Sequence, residues 1–147
     1  MAMTWILVAD RAKARVLSFD PADAEVPLEE RLDVVNPEGR LAGRELEGAR
    51  APSTHDRMGH GRHAIEPHTT LEDKVAQRFA ARLADTLERG RVEHRYVALV
   101  LVAPPRFLGQ LRSTLDPQVL RHVAAQIDKD LCAATPAEIV AALPRLN

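Results

Sequence analysis

The chain opens on three short hydrophobic segments with strand-like patterning. Thr4 to Ala9 is a nearly continuous run of apolar, β-favouring residues, which predicts a strand buried on both faces. Asp10 to Lys13 supplies a polar turn, and Ala14 to Phe19 reads as a second strand that pairs back as a hairpin. After a loop from Asp20 to Pro27, Glu29 to Asn36 alternates apolar and polar and predicts a third strand, ended by Pro37 and Gly39. Together these segments predict a three-stranded antiparallel meander.

The period then lengthens. Leu71, Val75, Phe79, Leu83 and Leu87 recur every four residues, with Ala76, Ala80 and Ala84 beside them, so a helix is expected over 70–89. Thr69 followed by Glu72 has capping-box spacing at its start, and Gly90 after Arg89 marks the expected end. Tyr96 to Ala103 is an unbroken apolar run that predicts a parallel, interior strand, and strand–helix–strand in this order implies a crossover unit. Pro104-Pro105 starts a further helix with Phe107, Leu108, Leu111 and Leu115 on one face, which Asp116-Pro117 stops. Residues 119–131 fit two templates. Val119, Val123, Ile127 and Leu131 repeat as in a helix, whereas Val123, Ala125 and Ile127 alternate as in a strand. Thr135-Pro136 begins a last short helix carrying Ile139, Val140 and Leu143.

Between these regions, residues 37–68 follow neither period. The segment holds Gly39, Gly43, Gly48, Gly59 and Gly61 with prolines at 37, 52 and 67, and Gly43 weakens the case for a helical turn over Leu41 to Leu46. A connection this long inside a compact domain is usually a binding loop, a lid or a disordered insert, so function is expected there.

Composition narrows the setting. The 147 residues, 46% of them hydrophobic, suit a single domain over 1–147. A formal charge of −1 provides no global field toward nucleic acid or a membrane, so any anion site has to be local. The single Cys132 excludes an intramolecular disulfide and fits a reducing compartment. The apolar run near the start is too short for a signal-peptide core or a membrane span, so a cytoplasmic location, with no membrane partner, is expected.

Within the loop, Arg50, Arg57 and Arg62 with the amides around Gly59 and Gly61 have the chemistry to cradle phosphate. His60 and His63 complete this candidate nucleic-acid-binding set, and either is also a candidate general base by its pKa range. Against these stands a solvated loop in which Glu38, Glu45, Glu47, Asp56 and Glu66 offset five arginines. Glu66 and His68 read as loop-pinning residues, with Glu66 positioned to bond His63. His60, His63 and His68 lack a convincing ligand pattern, so no metal and no cofactor is expected. Asp10 at the end of the first strand reads as a turn residue rather than a metal-binding acid, because Ala103-Pro-Pro105 supplies no second acid for two-metal chemistry.

The stretches Asn36-Pro-Glu-Gly-Arg40, His60-Gly-Arg-His-Ala-Ile-Glu-Pro67, Leu101-Val-Ala-Pro-Pro-Arg-Phe-Leu-Gly109 and Ile127-Asp-Lys-Asp-Leu131 resemble the bacterial host attachment protein family, over nearly the whole chain from Trp5 to Leu143. That resemblance implies an α/β, ribonuclease H-like fold. Its five-stranded mixed sheet would be an antiparallel meander followed by helix–strand–helix–strand–helix, with a strand at 121–131. The family in turn resembles the middle domain of archaeal and eukaryotic peptide-chain release factors, whose Gly-Gly-Gln loop precedes the long helix and enters the peptidyl-transferase centre. The corresponding position here reads Gly59-His-Gly-Arg-His63, with no glutamine to orient water, while Gln77 and Leu108-Gly-Gln110 fall in expected helices.

The resemblance therefore implies a release-factor-like, translation-associated protein that contacts the ribosome or tRNA through residues 50–68, in rescue, quality control or hibernation. No DNA partner is expected. Two alternatives stay open: an indirect or regulatory factor for attachment to host cells, and a hydrolase of peptidyl-tRNA or a small ester that uses the histidine loop. The expectation leans away from an enzyme. Self-association and the physiological partner are not specified by the sequence.

Overall fold

The computed structural model describes residues 3–23, 25, 27–39 and 70–144. Five strands form one mixed sheet: β1 (Thr4–Ala9), β2 (Lys13–Phe19), β3 (Glu29–Val35), β4 (Ala98–Val102) and β5 (Val123–Ile127), in the order β3-β2-β1-β4-β5. The meander β1–β2–β3 is antiparallel, whereas β4 lies parallel to β1, and β5 parallel to β4. All six residues of β1 are buried, as its unbroken apolar run requires of a central strand. Its side chains alternate between two cores. Trp5, Leu7 and Ala9 enter one face, and Ile6 and Val8 enter the other.

Helix α1 (Leu71–Val92) covers the first face with Phe79, Leu83 and Leu87, beside Phe107 and Leu111 of α2 (Pro105–Thr114). A short helix α3 (Pro117–Leu120) leads into β5. The second face is closed by the chain after β5, with Cys132 and with Ile139 of α4 (Pro136–Ala141), whose start is fixed by a Thr135/Glu138 capping box.

Residues 119–131 divide between both templates, with one helical turn through Leu120 followed by a strand at 123–127. Several expected boundaries differ by a residue or more, and three of them show why. The N-cap of α1 is Thr70, whose hydroxyl accepts the Asp73 amide at 3.0 Å. The adjacent Thr69 lies outside the described residues, as does the proposed turn at Leu41 to Leu46. Gly90 does not end the helix, because it is packed inside it: a Cβ there would lie 2.7 Å from the Trp5 ring. The fourth strand begins at Ala98, since Tyr96 turns its hydroxyl to the Leu87 carbonyl at 2.7 Å and packs its ring on Trp5.

Candidate functional site

The turn between β1 and β2 is a junction for distant parts of the chain. Asp10 closes it, one carboxylate oxygen accepting the Ala12 and Lys13 amides at 2.7 and 2.9 Å. Asn36, at the end of β3 and only 1% exposed, grips the same turn from the side. Its backbone N–H donates to the Ala12 carbonyl at 2.7 Å, and its side-chain amide donates to the Arg11 carbonyl at 2.9 Å. The remaining Asn36 oxygen accepts from Arg82 of α1 at 3.0 Å, and the Arg82 guanidinium lies over the Phe79 ring. A buried amide satisfied on both ends ties strand, turn and helix together.

Arg11 marks both flanks of the loop segment. On the departing side, Gly39 sits so close that a Cβ would fall 2.1 Å from the Arg11 carbonyl oxygen, so only glycine fits. On the returning side, the Arg11 guanidinium pairs with Glu72 in the first turn of α1 at 2.9 Å. Segment 40–69 thus leaves and re-enters the described structure beside the same turn.

Next to it lies a cleft of about 230 Å³ at the carboxyl ends of the parallel strands β1 and β4, lined by Asp10, Arg11, Glu72, Asp73, Arg106 and Phe107 among others. Ligand sites in α/β sheets favour this edge. Its charges are largely committed, Arg11 to Glu72 and Arg106 to Asp73 at 2.7 Å. The Arg106 side chain is 74% exposed, whereas its Asp73 partner is only 14% exposed, so the pair is half-buried.

On the other side of Asp10, the ligand atoms of Asp10, Asp130 and Cys132 lie within 4.8 Å of one another. Burial first, then the two carboxylates, push the Cys132 thiol up to about 12, so it stays protonated at neutral pH. Within the group the Cys132 backbone N–H donates to the Asp130 carboxylate at 3.3 Å. A bound cation would have to displace the thiol proton.

The sequence-level candidates Arg50, Arg57, Gly59, His60, Gly61, Arg62, His63, Glu66 and His68 all lie outside the described residues. Of the residues beside the segment's flanks, Arg11 and Arg82 escaped the sequence reading as site residues, while Asn36 and Arg106 entered it only within an expected strand or family-like stretches and Glu72 only as a capping residue.

Among curated proteins, none matches this chain. The family model described as "Protein required for attachment to host cells" matches residues 5–143, which spans both sheet faces, the junction at Asn36 and the cleft. The chain belongs to that host attachment family.

Proposed function

We propose that this protein is a binding module of the translation machinery that meets ribosomal RNA or tRNA through residues 50–68. One observation carries the reading: both flanks of the loop segment are fastened at the same turn, Gly39 against the Arg11 carbonyl and Glu72 on the Arg11 guanidinium. Flanks fixed at one edge of the sheet lower part of the ordering cost that binding through the segment between them carries. The order of strands and helices supports reading the sheet as ribonuclease H-like, and hence the likeness to the release-factor middle domain. The proposed site of action is the cytoplasm. Among the described residues no helix is long and apolar enough to cross a membrane. Since Gly59-His-Gly-Arg-His63 carries no glutamine, binding is proposed ahead of peptidyl-ester hydrolysis.

The discriminating experiment compares Arg57→Ala/Arg62→Ala with His60→Ala/His63→Ala. The arginine changes should weaken tRNA or ribosome association and flatten its salt dependence, while the histidine changes leave it nearly intact. Robust hydrolysis of peptidyl-tRNA by the unmodified protein, abolished by the histidine changes, would replace this reading with the enzymatic one. The family description favours a second reading, an indirect or regulatory role in attachment to host cells. Loss of attachment on gene deletion with no ribosome or tRNA association would favour it.

A further inference from the structure

At the opposite end of α1 from the loop, a groove of about 280 Å³ runs between the last turns of that helix and strands β2 and β3. Three guanidiniums enter it from separate parts of the chain, Arg31 from β3, Arg89 from α1 and Arg95 from the turn before β4, over a floor that includes Trp5 and Gly90. Among the described residues Glu93 is the one carboxylate in that lining. We infer that this groove is a phosphate site, and that it forms a second anchor for an RNA strand also held by the loop.

Arg95 is paired with Glu93 at 3.1 Å, and Arg31 with Glu29 at 3.0 Å, but all four side chains are about half exposed. Pairs of that kind are weak enough to be exchanged for phosphate oxygens, which arginine binds bidentately. Among the described residues Arg89 has no carboxylate partner within salt-bridge distance. Basic residues at a helix C-terminus also offset its dipole, whereas Arg31 comes from β3, where its Nε donates to the Ser18 hydroxyl at 3.0 Å and so holds the guanidinium beside the groove. The volume sits just below the usual range for enclosing a whole small ligand. It suits a phosphate whose attached groups continue outside. Gly90 is required here because any side chain would strike the Trp5 ring, so helix and indole meet closely at the groove floor.

The 22 residues of α1 span roughly 33 Å. A ligand that reaches both this groove and the edge of the sheet where residues 40–69 leave and rejoin the described structure must therefore be a polymer. The polymer half of the inference rests on the proposed RNA-binding function; the phosphate half does not.

Trp5 is the only tryptophan in the chain, so its fluorescence reports on the groove. The full chain is titrated with inorganic tripolyphosphate and, separately, with tRNA. A saturable change with both probes is expected. Arg89→Ala/Arg95→Ala should weaken tripolyphosphate binding by about tenfold or more and reduce the salt slope for tRNA by about 1.5. Arg57→Ala/Arg62→Ala should weaken tRNA binding alone. Both groove residues are exposed, and an unchanged thermal melt confirms that the variant is folded. No saturable change with either probe, or a change untouched by the groove substitutions, overturns the site. Binding of tRNA that needs the loop arginines but not the groove overturns the second anchor and leaves the loop reading standing. Tripolyphosphate binding without tRNA binding upholds the phosphate site, assigns it to a small phosphate ligand and defeats the loop reading.

Discussion

Arg15 enters the second core from β2 and is 8% exposed, yet each nitrogen of its guanidinium finds an oxygen. Two nitrogens meet Glu30 at 2.9 and 3.2 Å, and the third donates to the Cys132 and Ala134 carbonyls at 3.1 and 2.6 Å. Those bonds strap the 131–135 turn onto the sheet and so set Cys132 beside Asp10. The hydrogen bond from Arg15, more than its charge alone, holds the Glu30 carboxyl below its usual range. A depressed carboxylate contributes stability that is complete above the unfolded-state value near 4.3 and is lost as pH falls through the folded value. Denaturant titrations between neutral pH and about pH 3 should therefore show the wild type losing more stability than Glu30→Gln. Parallel acid limbs for the two proteins would show that the pair adds no pH-dependent stability. Gly90 offers a second test at this scale. Gly90→Ala improves helix propensity, but its Cβ must push against Trp5 and Tyr96, so a net loss of roughly 1–3 kcal/mol is expected from chemical unfolding. A neutral or stabilising result would mean that the two rings yield freely.

At the scale of elements, periodicity located β1 to β4, left β5 open between helix and strand, and misplaced helix ends, for which α1 shows the reason. Two adjacent threonines each stand three residues before an acid, Thr69 before Glu72 and Thr70 before Asp73, so spacing alone could not choose the cap. At the other end a glycine after the last apolar repeat looked like a stop, whereas the chain continues to Val92 and stops on a different residue. Arg95 N–H donates to the Gly90 carbonyl at 2.8 Å and His94 N–H to the Arg91 carbonyl at 3.0 Å, a Schellman closure with His94 at φ 56°. Histidine occupies the left-handed position that glycine prefers, so His94→Gly should stabilise the protein by up to about 1 kcal/mol in thermal melts. Destabilisation would reveal a contact of the His94 side chain that outweighs the backbone strain.

For the whole molecule, the sheet was legible because its central strands carry their burial in their composition. Thr4–Ala9 and the run into Val102 are apolar on both faces, and the crossover between them follows from the intervening helix. The site was less legible, because its mouth depends on contacts across long separations, Asn36 to Arg11 and Arg82 to Asn36, that leave no period in the sequence. The arginine groove was hidden for the same reason: Arg31, Arg89 and Arg95 become neighbours only when β3 and the end of α1 pack together.

The central claim is that the segment anchored at Arg11 serves to hold RNA of the translation machinery. Its most direct test is co-sedimentation of the purified full-length protein with ribosomes at low and at physiological salt, beside Arg57→Ala/Arg62→Ala. The account predicts wild-type protein in the ribosomal pellet, less of it at the higher salt, and a weaker, flatter response from the variant, because each lost arginine removes a phosphate contact. Wild-type protein that stays in the supernatant at both salts, or a variant that pellets equally well, would contradict it.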